Sequence, residues 1–97
     1  MSYLENITEI LQTLKPVLTE KYGVSTIGLF GSIVRDDFSS SKSDIDIIVD
    51  FSKPIGIEFV DLAEFLEAKI NRRIDLVSKN GIKRKYYNQI EQEIVYV

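Results

Sequence analysis

The sequence predicts an α/β (α+β) fold in which flanking helices cover a small mixed β-sheet. Helical apolar patterns alternate with short apolar, β-branched runs along 97 residues. That length has room for one hydrophobic core, so we expect a single domain over residues 1–97. The predicted order is a helix, a strand, a short helix, a strand, a helix, a strand, a helix and a final edge strand.

The first predicted element is a helix that begins near Ser2. Its apolar residues recur at steps of three and four and form one stripe: Leu4, Ile7, Leu11, Leu14 and Leu18. Ser2 and Glu5 have the spacing of a capping box. Pro16 predicts a kink or an early end of the regular helix, and Tyr22-Gly23 predicts its stop.

Three short apolar runs predict strands at residues 26–30, 44–51 and 74–77, and residues 94–97 predict an edge strand. In the second strand, Asp44 and Asp46 alternate with isoleucines and lie on the opposite face. Asp75 alternates with Ile74 and Leu76 in the same way. Between the strands, residues 59–70 and a segment from Gly81 to about Gln92 predict helices.

The composition excludes several classes of function. Twelve basic residues against fifteen acidic ones give a net charge of −3. Binding of nucleic acid or of an anionic membrane requires a basic surface, so we expect neither DNA nor membrane as a partner. The apolar runs are too short for a membrane span and the start lacks the layout of a signal peptide, which predicts a cytoplasmic protein.

The absence of Cys and His limits the possible chemistry further. Without them there is no thiolate nucleophile, no Ser-His pair and no imidazole acid or base. Catalysis in this chain therefore depends on carboxylates, Lys, Tyr, backbone amides or a bound metal ion. Carboxylate ligands alone favour Mg²⁺ or Mn²⁺ over zinc.

Three features of the sequence converge on one kind of site. Gly31-Ser32 follows a strand and opens a short helix, where main-chain N–H groups favour phosphate oxygens. Asp44 and Asp46 lie on one face of a strand, and Asp75 lies on a strand that we expect beside it. Each feature alone is ordinary, but Asp is a poor strand former, and adjacent negative charges destabilise a sheet unless a cation neutralises them.

Together these residues resemble the minimal nucleotidyltransferases of the polymerase-β-like superfamily. The resemblance is carried by Leu29-Phe30-Gly31-Ser32-Ile33-Val34-Arg35, Ser43-Asp44-Ile45-Asp46-Ile47-Ile48-Val49 and Ile74-Asp75-Leu76-Val77. It implies the polymerase-β-like nucleotidyltransferase fold and a nucleoside triphosphate, with ATP as the donor substrate. The Ser-to-Asp interval here is eleven residues where the family usually has ten, and Asp36-Asp37 stands where the family often has Gly.

The resemblance also implies roles for single residues. Asp44 and Asp46 would hold two Mg²⁺ ions, or Mn²⁺, with the phosphates, and Asp75 would complete the metal site near the attacking hydroxyl. Gly31 and Ser32 would contact the triphosphate, and Arg35 would anchor phosphates or brace the loop. Two-metal catalysis of an in-line displacement requires little side-chain acid–base chemistry, so the lack of His is no obstacle.

A partner protein is a further implication of the resemblance. Stand-alone members of the family are commonly antitoxins whose partner is a helical HEPN-type toxin, and some transfer AMP to a tyrosine of that partner. The resemblance therefore implies a type VII-like antitoxin in a toxin–antitoxin module, an adenylyltransferase in a hetero-oligomer. Two alternatives stay open: an antitoxin that neutralises its partner by binding alone, and a subunit whose acceptor is a small molecule held by another chain.

Overall fold

A computed structural model of the chain describes residues 2–35, 37–39 and 41–97. Its elements are α1 (Tyr3–Tyr22), β1 (Val24–Phe30), a 3₁₀ helix (Gly31–Ile33), β2 (Ile45–Phe51), α2 (Glu58–Ile70), β3 (Ile74–Ser78), α3 (Arg84–Ile90), a second 3₁₀ helix (Glu91–Glu93) and β4 (Val95–Tyr96). The predicted order of elements is confirmed. Asp36, where the family often has Gly, lies outside the described residues.

The strands form one mixed sheet in the order β3-β2-β1-β4. β1 runs antiparallel to both β2 and β4, and β2 runs parallel to β3. The parallel pair needs a crossover connection, and α2 supplies it. The predicted α/β architecture with a small mixed sheet is therefore confirmed, as is the expected pairing of the strand of Asp46 with the strand of Asp75.

The two faces of the sheet carry cores of different size. The larger core packs α1 and α2 on one face and consists mainly of aliphatic residues: Ile7, Leu11, Leu18, Ile27, Leu29, Ile45, Ile47, Val49, Leu62 and Leu66. The smaller core, on the other face, is formed by Phe30, Ile48 and Ile90. Alternation along β2 thus places Ile45 and Ile47 in the larger core and Asp46 on the opposite face. We call this opposite face, which carries the smaller core, the thinly covered face.

α1 begins and ends as the sequence predicts, but it does not end at Pro16. The Ser2 hydroxyl accepts the N–H of Glu5 at 3.1 Å, and Gly23 closes the helix in the left-handed region with φ of 68°. The prediction of an early end was wrong because Pro16 is exposed. Pro16 has no N–H to donate to the preceding turn, but Leu18 and Tyr22 beyond it remain buried. Among the helices of the described residues, none has the length and apolar composition of a membrane span.

Candidate active site

Two carboxylates lie side by side on the thinly covered face of the sheet. Asp46 is the second residue of β2 and pairs in register with Asp75 of β3 and with Phe30 of β1. Neighbouring strands are about 4.8 Å apart, so the two aspartates occupy adjacent positions on one face. Asp46 is half-buried and Asp75 is exposed on the edge strand.

The surroundings of Asp46 disfavour its negative charge. Burial is the largest cause, followed by repulsion from Asp75 and Asp44, and together with Glu93 they raise the pKa of Asp46 from 3.8 to about 6. The positive charge of Arg35 acts in the opposite direction. Asp46 is therefore the centre of an acidic group whose charge the nearby cations only partly offset.

Asp44 forms an ion pair with a residue outside this pair. It precedes β2, which begins at Ile45 rather than at Asp44 as predicted, and its Oδ1 lies 3.2 Å from Nε of Arg73. The main chain supports this ion pair, because the N–H of Ile45 donates to the carbonyl of Arg73 at 3.0 Å. Within residues 2–35, 37–39 and 41–97, no three acidic side chains gather closely enough to hold a metal ion.

Gly31 brings the main chain of the loop after β1 against Asp46. Its φ of 78° lies in the left-handed region, and a Cβ built on it would overlap Oδ2 of Asp46 and lie 3.0 Å from its Cγ. The carbonyl of Gly31 accepts the N–H groups of Val34 and Arg35, at 3.0 and 3.1 Å, which closes the turn. Only glycine suits a position with both this conformation and this contact.

Ser32 and Arg35 flank the same turn. Ser32 is half-buried in the short 3₁₀ helix and Arg35 is exposed at its end. The structure thus brings together Gly31, Ser32 and Arg35 next to Asp46 and Asp75, whereas Asp44 engages Arg73 instead.

Two residues at the site were not among the predicted ones. Oε2 of Glu93 accepts the N–H of Gly31 at 2.6 Å, and its Oε1 lies 3.5 Å from Nη1 of Arg35. Arg73 pairs with Asp44. The only signal for Glu93 in the sequence is its place directly before the predicted edge strand, which identifies it as a neighbour of Gly31 only once the register is known.

Phe38, in the loop between Gly31 and β2, packs into the scaffold. Its ring centroid lies 5.0 Å from that of Tyr3 on α1, and the guanidinium of Arg72 lies over both rings at 5.5 and 5.1 Å. These contacts hold the loop to the start of α1, so Phe38 has a structural role here.

A surface cavity lies elsewhere on the sheet. It has a volume of about 570 Å³ and is lined by residues at the far ends of β2 and β3, among them Asp50, Phe51 and Ser78. Asp46 and Asp75 stand at the opposite ends of the same strands. We place the candidate active site at Asp46 and Asp75, because the glycine turn and Arg35 lie beside these carboxylates and not beside the cavity.

A family model described as "Nucleotidyltransferase domain" matches residues 11–97. The chain belongs to this family. Its membership confirms the predicted resemblance and identifies the chain as a nucleotidyltransferase by family.

Individual relatives support the assignment. The protein adenylyltransferase MntA of Thermococcus cleftensis is 43% identical over 98 residues, which cover 100% of this chain and 98% of the relative. A solved toxin–antitoxin structure with AMP-PNP has a TM-score of 0.74 at 24% identity, covering 94% of this chain and 71% of that one. A structure of a tri-AMPylated HEPN toxin from Shewanella oneidensis in complex with MNT antitoxin has a TM-score of 0.65 at 23% identity, covering 96% and 69%. At these identities the structures establish the likeness of fold.

The donor set of this nucleotidyltransferase is chemically suited to Mg²⁺. Its acidic group offers hard carboxylate oxygens, and the raised pKa of Asp46 shows that its negative charge is incompletely compensated. A divalent cation between such carboxylates would remove the repulsion that now opposes the ionisation of Asp46. Asp44 would contribute a carboxylate whose Oδ1 lies 3.2 Å from Nε of Arg73 in the absence of the ion.

Proposed function

We propose that this nucleotidyltransferase is a Mg²⁺-dependent protein adenylyltransferase. It transfers AMP from ATP to a tyrosine hydroxyl of a HEPN-type toxin and acts as the antitoxin of that pair. The relative from Thermococcus cleftensis, similar over the whole chain and named a protein adenylyltransferase, supports the reaction. The solved complex of an AMPylated HEPN toxin with MNT antitoxin supports the partner.

One observation carries the proposal most directly. The register pair of Asp46 and Asp75 stands next to the close approach of Gly31. Cation-binding carboxylates thus adjoin a glycine turn that can approach a polyphosphate, and Mg²⁺ with a nucleoside triphosphate requires both.

Each residue of the site receives a role in this proposal. Asp44, Asp46 and Asp75 hold two Mg²⁺ ions, which supply electrostatic stabilisation of the attacking and leaving oxygens when bound. Gly31 allows the triphosphate to approach the main chain, the N–H of Ser32 binds it there, and the Arg35 guanidinium faces a phosphate. The resemblance to the family implies these roles, and the positions of Gly31, Asp46 and Asp75 support those of the three residues.

The transfer is an in-line displacement at the α-phosphorus of ATP. The tyrosine oxygen forms a bond to that phosphorus, the bond to the oxygen that bridges the α- and β-phosphates breaks, and pyrophosphate leaves. We assign acceptance of the hydroxyl proton to Asp75, because it is the exposed member of the pair on an edge strand that a partner protein can approach. The Arg35 side chain stabilises charge on the phosphates.

The direct test is the intact mass of a co-purified HEPN-type partner after incubation with this chain, ATP and Mg²⁺. We expect mass gains in steps of one AMP, and we expect them to vanish with Asp46→Asn. Asp50→Asn is the matched control, because Asp50 lies on the same strand and the same face but at its far end. An unchanged mass with ATP, GTP, CTP and UTP alike would contradict the proposal.

A second candidate is an antitoxin that acts by binding alone. It is favoured by the ion pair between Asp44 and Arg73 and by the lack of a preformed group of three acidic ligands within the described part of the chain. The double variant Asp44→Asn with Asp46→Asn separates the two candidates in a toxin-rescue assay. Loss of rescue with an intact complex supports transfer, and full rescue supports binding alone.

A further inference from the structure

Glu93 connects the C-terminal segment of the chain to the candidate phosphate loop. It ends the 3₁₀ helix Glu91–Glu93, between α3 and β4. One of its carboxylate oxygens accepts the N–H of Gly31 at 2.6 Å, and the other lies 3.5 Å from the Arg35 guanidinium. With 21% of its side chain exposed, Glu93 is largely covered.

The register of the sheet explains why a side chain makes this contact. β4 pairs Leu29 with Val95 and Gly28 with Tyr96 in antiparallel register. Continued by two residues, this register sets Gly31 opposite Glu93, but the strand pairing ends before that point. The main-chain N–H of the buried Gly31 still needs an acceptor, and the Glu93 carboxylate provides it.

The contact fixes the part of the loop that lies nearest the carboxylate pair. Gly31 touches Asp46 so closely that no Cβ fits between them. A charge-assisted hydrogen bond on its N–H therefore determines how the turn and its phosphate-binding groups stand relative to Asp46. The same carboxylate holds the Arg35 guanidinium beside the turn.

We propose that Glu93 is a positioning residue for nucleotide transfer, because it holds Gly31 and Arg35 in the arrangement that receives the triphosphate. That the loop binds a triphosphate rests on the proposed function. That Glu93 holds the loop in place does not depend on that function. In the opposing hypothesis, Glu93 competes with the phosphates for the N–H groups of the loop and of Arg35. Removal of Glu93 would then strengthen nucleotide binding instead of weakening it.

Three variants of the full chain test the proposal at a temperature at which each is folded. Glu93→Ala removes the acceptor, Glu93→Gln keeps a neutral acceptor oxygen, and Glu91→Ala removes the same charge from an exposed position in the same 3₁₀ helix. With the HEPN-type partner as acceptor, we expect Glu93→Ala to raise KM for ATP about tenfold, with a smaller change in kcat. Glu93→Gln should recover most of the loss, and Glu91→Ala should match the unmodified protein.

Amide hydrogen exchange without nucleotide is the second readout. We expect the amides of residues 31–35 to exchange about tenfold faster in Glu93→Ala, with the rest of the sheet unchanged. Unchanged exchange there would overturn the proposal, and so would an unchanged or lower KM. If the unmodified protein transfers no AMP, the proposed function fails, while the exchange data still decide whether Glu93 holds the loop.

Discussion

Asp46→Asn should stabilise the folded protein at neutral pH while it abolishes transfer. The pKa of Asp46 is raised from 3.8 to about 6 by burial and by repulsion from Asp75 and Asp44. Ionisation of Asp46 therefore disfavours the folded state. Asn has nearly the same shape but carries no charge, so the variant removes this penalty.

The size of this stabilisation follows from the difference between the pKa of Asp46 in the folded and in the unfolded protein. Roughly two pKa units correspond to about 3 kcal/mol as an upper value. Asp46 is only half-buried, and solvent screens part of the repulsion, so we expect a gain of about 1–2 kcal/mol in the free energy of unfolding at pH 7. A folded pKa above the unfolded one means that the penalty is absent below pH 3.8 and complete above about pH 6.

Urea denaturation at pH 7 and at pH 4 measures this directly, without Mg²⁺. The gain of Asp46→Asn over the unmodified protein should be present at pH 7 and largely absent at pH 4. Glu20→Gln, which removes one charge from an exposed position on α1, should show no such difference. A variant that is no more stable than the unmodified protein at pH 7, or equally stabilised at both pH values, would refute the electrostatic reasoning.

Three other outcomes follow from the same site. Gly31→Ala should lower the free energy of unfolding by about 1–3 kcal/mol, because φ is positive there and the added methyl group would overlap Asp46. At Gly56 a Cβ meets open space, so Gly56→Ala should change the free energy of unfolding by less than about 0.5 kcal/mol in the same urea titration. Arg73→Ala should alter stability by less than about 1 kcal/mol, because its pair with Asp44 is exposed, and a larger loss by urea would contradict this. Mg²⁺ should raise the melting temperature of the unmodified protein but not that of Asp46→Asn, as thermal unfolding monitored by circular dichroism would show.

Much of the candidate site could be predicted from local pattern. Strict alternation in the second strand placed Asp46 opposite the apolar core residues, and the strand of Asp75 was expected beside it, where the structure has it. Gly31 was recognisable because glycine after a buried strand is typical of close main-chain approach. These features depend on periodicity and connection length, which a single sequence displays.

The remaining features depend on tertiary contacts. Asp44 turns to Arg73 because their main chains are hydrogen-bonded neighbours, which no spacing rule reveals. Glu93 reaches Gly31 through the register of a two-residue strand. At Pro16 the local rule for helix ends was overridden by the buried residues of the next two turns.

The parallel pairing of β2 and β3 also has a consequence for folding kinetics. β1 and β2 are consecutive strands separated by residues 31–44, but β3 reaches β2 only after residues 52–73, which include α2, have closed. Repulsion between Asp46 and Asp75 therefore acts at one step of folding, the docking of β3 onto β2. If docking precedes the transition state, neutralising the pair speeds folding; if it follows, the same change slows unfolding. Folding and unfolding rates of variants at Asp46 and Asp75 would therefore show whether β3 docks before or after the transition state.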